Sequence, residues 1–273
     1  MAIKIPVVDR ISTYPGRVVL VPVPGEENTY VMTRADQPTE VGTPLNKELL
    51  DQKAYTLTKD ETLYVSPNGN DASGDGTSEK PYRSINKAIS DIPKDLGGYT
   101  ATIMLTAGSY PEVVSVTHFS NGRILLSGPS AGTNVTINGL NLLNANYAQI
   151  FNTVNLTVGS GGIIVDNNSL LITTGLVTVN GGEYGIRVEN NANFHNSGTV
   201  TINNTTVAAI RAGNGRIRLQ GLAGTNNEVG LMSVAGGVIV YGGDNKTLTA
   251  KTATNTATGG RIYAGAQTSI PNY

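Results

Sequence analysis

The 273-residue chain has no cysteine and no tryptophan. Without thiols it can form neither disulfides nor thiolate metal sites. Its two histidines, His118 and His195, stand alone without neighbouring acids, so no imidazole metal site is expected from spacing. Charge is sparse, at 14% of residues with a net of −1. That leaves no basic face of the kind phosphate backbones require, and no nucleic-acid partner is expected. No apolar run reaches the roughly 20 residues needed to span a bilayer, so no membrane partner is expected either. The start, Met1 to Arg10, lacks the apolar stretch and small-residue cleavage site of a signal peptide, and export by that route is not expected. Aromatics are few: three Phe and twelve scattered Tyr, with Tyr147, Tyr184, Tyr241 and Tyr263 in the second half. Ligand pockets are commonly lined by aromatic rings, so this scarcity argues against both a polysaccharide depolymerase and a dedicated lectin.

Glycine is abundant, at 33 residues, but not at every third position as a collagen helix demands. Charge is also unevenly spread. Residues 1–111 carry 14 acidic and 11 basic side chains, whereas the longer stretch 112–273 carries 6 and 8. The shift marks a change of architecture, and the second half explains it by repetition. The segments Gly122–Gly128, Ser169–Gly175, Ala192–Gly198, Gly215–Gly221, Gly237–Gly243 and Gly260–Gly265 align, and the closing glycines Gly175, Gly198 and Gly221 recur every 23 residues. The interval from Gly128 to Gly175 fits two turns, with Asn152 midway.

A second register aligns Gly162–Asn168 with Gly185–Asn191 at a spacing of 23, continued by Ala209–Asn214 and Gly230–Ala235. A third aligns Val154–Leu156, Val177–Val179 and Val200–Ile202. Each repeat therefore holds three short strands with alternating apolar positions, separated by Gly/Asn turns. A single such rung cannot bury its inward side chains, but stacked rungs can. The fold class expected is all-β, a right-handed parallel β-helix. Asn168, Asn191 and Asn214 fall at one corner, where Asn tolerates a left-handed backbone and can bond along the stack. These asparagines and the recurring glycines are read as a structural ladder.

Residues 1–58 read as a separate small module. Val18–Pro22 and Thr29–Thr33 are expected strands about a polar turn, and Thr43-Pro44 is an expected start for a short helix, Leu45–Gln52. The module is too small to bury a good core alone. The β-helix is expected over 62–273. Near its start, Ile85, Ala88, Ile89 and Ile92 fall at i, i+3, i+4 and i+7, which predicts an amphipathic helix over about 84–92 that plugs the open end of the stack.

Two resemblances add context. Leu63–Asp71, Gly76–Tyr82, Ser84–Ile89 and Leu105–Glu112 resemble the opening of pectate-lyase-like β-helix domains, a superfamily whose members range from lyases and hydrolases to adhesins and viral spikes. Ile5–Arg10, Tyr14–Arg17, Tyr30–Asp36 and Gly42–Lys47 resemble the N-terminal modules of tail-fibre-like proteins from phages and prophages of Gram-positive bacteria. The resemblance implies a structural fibre or spike of a virion, with residues 1–58 docking to other particle proteins (tail, baseplate or head) and the β-helix projecting toward the host surface. It further implies a homotrimer and a host-surface glycan as a possible partner.

Chemistry is weighed against that structural reading. Asp166 and Glu189 occupy equivalent positions in adjacent rungs, so their carboxyls could lie about 5 Å apart, a spacing suited to a retaining glycosidase. Two solvated carboxylates at an Asn-rich corner is the preferred alternative, and no catalytic residue is assigned. Arg187 and Arg211, and the pair Arg216 and Arg218 on one strand, read as ion-pair partners or solvated faces, because no rung clusters the acids that a calcium-dependent lyase needs. The loop Asn68–Asp75 offers oxygen ligands without EF-hand spacing and reads as a polar turn. No metal or cofactor is expected, and the chain is expected not to be an enzyme.

Overall fold

The structure, a computed structural model, describes residues 18–22, 24, 30–34, 56–144, 148–150, 154–242 and 246–264. The expected helix Leu45–Gln52, Asn152, Tyr147 and most of the 1–58 docking segment lie outside those residues. The chain divides into two units, Met1–Ala54 and Tyr55–Tyr273. In the first, β1 (Val18–Pro22) pairs antiparallel with β2 (Tyr30–Arg34), with Leu20 opposite Met32. Thr29, the expected first residue of the second strand, lies outside the described residues.

The second unit is a parallel β-helix of about seven turns. Its strands follow in chain order. β3 (Glu61–Val65) leads to helix α1 (Ile85–Asp91), then β4 (Thr100–Leu105), β5 (Gly108–Thr117), β6 (Arg123–Ser127), β7 (Thr133–Leu143) and β8 (Ala148–Ile150). Next come β9 (Val154–Asp166), β10 (Leu170–Thr173), β11 (Val177–Asn180), β12 (Tyr184–Glu189) and β13 (Asn193–Asn203). The last are β14 (Ala208–Gly213), β15 (Arg216–Val234), β16 (Val238–Tyr241), β17 (Lys246–Thr256) and β18 (Arg261–Ala264).

The longer strands bend round corners and serve two faces, or three in β15, and each turn presents three. Face A stacks β3, β4, β6, β8 and β10, the first part of β13 and of β15, then β16 and β18. Face B stacks the first parts of β5, β7 and β9, then β11, the second part of β13, the middle of β15 and the start of β17. Face C stacks the second parts of β5, β7 and β9, then β12, β14, the end of β15 and the end of β17. The three sequence registers correspond to these three faces.

Alternation follows from the pleat: successive side chains point to opposite sides, so every second residue enters the core. In β4, Ala101, Ile103 and Leu105 are buried between half-exposed neighbours. The inward column of face A continues through Ile124, Leu171, Phe194, Ile217 and Ile239. Faces B and C contribute such residues as Leu156, Val179, Ile202, Leu142, Val165, Val188 and Ile210. One continuous apolar cluster runs from Leu57 to Ile239.

α1 closes the first turn. Ser84 is its N-cap and accepts from Lys87 N–H at 3.2 Å. Glu112, at the bend of β5 between faces B and C, accepts Ile85 N–H at 2.7 Å and Asn86 N–H at 3.1 Å. The first three helical amides, which have no partner within a helix, are all satisfied in this way. Ile85, Ala88 and Ile89 are buried against the stack, as the helical spacing requires.

Candidate functional site

The corner from face C to face A is where the repeat must turn sharply inward. Positive φ recurs there in nearly every rung: Asn121 (52°), Asn144 (49°), Asn167 and Asn168 (51° and 59°), Asn190 and Asn191 (48° and 62°) and Asn214 (53°). Asn reaches this region more readily than other side-chain-bearing residues, which accounts for its abundance here. Asn191 Nδ2 donates to Asn168 Oδ1 at 2.8 Å, so the amides bond along the axis. Asn214 joins the stack through its backbone instead, its carbonyl accepting Asn191 N–H at 2.8 Å. At the corner from face A to face B, a side chain on Gly198 would come within 2.3 Å of the Gly175 carbonyl, so close stacking explains that glycine. Gly221 is also close-packed, its hypothetical Cβ 3.0 Å from Thr199 Oγ1.

A second amide ladder runs on the turn from face B to face C. Asn203 Nδ2 donates to Asn180 Oδ1 at 3.0 Å, and Asn226 Nδ2 to Asn204 Oδ1 at 2.8 Å. Inside the core, Asn196 donates to Thr173 Oγ1 at 2.8 Å, and Asn227 accepts from Thr205 Oγ1 at 2.8 Å while donating to the Ile202 carbonyl at 2.9 Å. Buried polar groups so paired fix the register of adjacent rungs as well as supporting them.

Asp166 and Glu189 end adjacent strands of face C, each one residue past the paired Val165 and Val188. They share a column but turn to different partners. Asp166 accepts the Asn190 amide and the Asn167 N–H, both at 2.7 Å. Glu189 forms an ion pair with Arg211 and lies 3.8 Å from Arg187 Nε. Both arginines also sit over the Tyr184 ring, at 5.9 and 5.6 Å from its centroid. Gly213 follows Glu189 in the column, and a side chain there would press on the Glu189–Arg211 pair. The arrangement accounts for Arg187 and Arg211 as ion-pair partners held on the outer face.

The outer surface of face A differs. Its outward columns place Asn193, Arg216, Val238 and Arg261 on successive rungs, with His195, Arg218, Val240 and Tyr263 beside them. They line a groove of about 900 Å³. Arg216 and Arg218 are exposed and Tyr263 is half-buried, while Val240 at 9% exposure forms part of the floor. Burial, and next the nearby Arg218 charge, hold His195 below the ordinary imidazole pKa, which favours its neutral form. No acidic side chain lines the groove among the described residues.

Asp71, in the polar loop, accepts Arg83 N–H, Ser84 N–H and Ser84 Oγ–H at 2.7–3.0 Å. Asn70 closes a turn on Ala72 and Ser73 N–H. His118 sits at a positive-φ corner position, φ 59°. Among the described residues no group of three or more His, Asp or Glu is placed to hold a metal ion. No family model, curated protein or solved structure matches the chain.

Proposed function

We propose that the chain is a structural fibre or spike component of a phage or phage-derived particle. In this reading residues 1–58 dock to other particle proteins and the β-helix projects toward the host surface as an adhesive shaft. The observation that carries the reading is the seven-turn stack itself, paired rung to rung on three faces. Such a rod resists bending because each rung is bonded over its whole perimeter to the next. The resemblance of the opening residues to tail-fibre modules supplies the context. A homotrimer fits a short N-terminal segment that cannot bury a core alone.

The test is direct. Antibody against the β-helix should decorate an appendage of assembled particles, and light scattering of the purified chain should give three times the 28.5 kDa monomer mass. Particles without the chain on their surface would end the reading. The glycosidase alternative is judged by reducing-end release from host-surface polymer. Release that Asp166→Ala and Glu189→Ala both abolish would replace adhesion with catalysis.

A further inference from the structure

We propose that the outer groove of face A is a binding site for an acidic glycan, a sugar polymer carrying carboxylate or phosphate groups. The inference deepens the adhesive reading above and rests on it for its biological setting. Three observations converge on this groove.

The first is charge without counter-charge. Several cations of the β-helix have an acid beside them: Lys87 has Asp91, Arg187 and Arg211 share Glu189, and Lys251 has Glu228. Arg216, Arg218 and Arg261 line one groove with no acid among the described lining residues. Grouped like charges repel, and no ion pair joins these three to an acid among the described residues.

The second is spacing. Arg216, Val238 and Arg261 form one outward column on consecutive rungs. At about 4.8 Å per rung, the outer two guanidinium-bearing positions lie about 10 Å apart, and Arg218 lies about 7 Å along the strand from Arg216. Arg216 and Arg261 therefore mark two points along an extended polymer running up the stack, with Arg218 to one side. Arginine's planar fork matches carboxylate and phosphate oxygens in a bidentate way.

The third is the remaining lining. Val238 and Val240 form an apolar floor, and Tyr263 flanks Arg261 with a half-buried ring suited to the C–H face of a sugar. A volume of about 900 Å³ accommodates a short run of sugar units. Single-stranded nucleic acid shares the negative charge, but it calls for a longer basic track and several stacking rings. Among the described lining residues, Tyr263 and the His195 imidazole are the rings within reach of solvent, and Phe194 is 1% exposed.

Binding of the full chain is measured by titration calorimetry against polygalacturonate (carboxylate), a poly(glycerol phosphate) (phosphodiester), dextran (neutral) and oligo-dT. At least one of the two anionic sugar-alcohol or sugar polymers should bind, weakening as salt rises, and dextran should not. The double variant Arg216→Gln/Arg261→Gln, both at solvent-facing positions, should weaken binding at least tenfold. Lys251→Gln, outside the groove, should leave it unchanged. Which anionic polymer binds distinguishes carboxylate from phosphate recognition.

Binding that the double variant retains in full, equal binding to dextran, oligo-dT bound as tightly as either polymer, or no binding to any of the four would each overturn the proposal. Particle decoration is read separately. Anionic-polymer binding by a chain absent from particles would sink the fibre reading and leave the groove standing, and the converse result would do the reverse.

Discussion

The first turn of the β-helix and its later rungs hold together by different chemistry. Around α1 the stabilising groups are carboxylates, each used once. Asp71 and Glu112 satisfy the loop and helix amides, Asp91 accepts Lys87 Nζ at 2.7 Å, and Asp95 accepts Gly97 N–H and the Asn121 amide. From β9 onward the repeated polar contacts are neutral amides passed from rung to rung, Asn168 to Asn191 and Asn180 to Asn203. A cap must satisfy one unique set of orphan donors, and an anion that accepts several hydrogen bonds does so well. A column of identical side chains cannot be charged without self-repulsion, whereas an amide both donates and accepts and so can stack indefinitely.

The largest effect expected from perturbing either region is in the rung core. Phe194→Ala removes a fully buried ring and should destabilise the β-helix by about 3–5 kcal/mol in denaturant unfolding. Glu112→Ala should cost less, about 2 kcal/mol, because two helix amides lose an anionic acceptor. Hydrogen exchange should then rise in α1 and leave the face B and C rungs beyond β9 protected. Equal loosening of both regions would erase the distinction between cap and stack.

Asn191→Ala should cost about 1–2 kcal/mol, combining an Ala at φ 62° with a lost ladder bond. Asn191→Gly relieves the backbone part and should recover some of the loss. If Gly and Ala are equally damaging, the corner is held by the amide alone.

The smallest effect is with pH. Burial tends to raise the Asp71 and Asp91 pKa values, but hydrogen bonds from Ser84 and Arg83, and from Lys87 and Tyr82, more than offset it and hold both below the ordinary aspartate range. A carboxylate with a depressed folded pKa adds stability that is fully present above its unfolded value and lost as pH falls through the folded one. Exchange protection in α1 should therefore decline as pH falls below about 4, while the Asn168–Asn191 and Asn180–Asn203 pairs themselves hold no titrating group. Simultaneous loss in both regions would show that the stack too depends on carboxylates.

Much of this was legible in the sequence because a solenoid writes its geometry as period. The recurrence at 23 residues places the three faces, and the i, i+3, i+4, i+7 isoleucines and alanine place α1. The second amide ladder was harder to see, since Asn203 and Asn204 lie in a run of Thr and Asn where the rung shortens to 22 residues. Asn196 and Asn227 occupy inward positions that alternation assigns by apolarity, so their burial was not readable. The groove is less legible for a different reason. Aligning Gly215–Gly221 with Gly260–Gly265 already sets Arg216 in register with Arg261. Period alone does not show that this column faces outward beside Arg218 with no acid among the described lining residues. The divergence of Asp166 and Glu189 toward separate partners is a matter of rotamers, which spacing does not encode.

The absence of cysteine makes one measurement especially clean. Spin labels can be placed specifically on Thr102→Cys with Ile172→Cys, and on Thr102→Cys with Arg218→Cys. These positions share one column of face A, three and five rungs apart. Stacking at about 4.8 Å per rung predicts separations of about 14 and about 24 Å, plus the reach of the labels. Two narrow distributions about 10 Å apart would match a solenoid. Broad distributions, or a separation that does not grow with rung number, would contradict it.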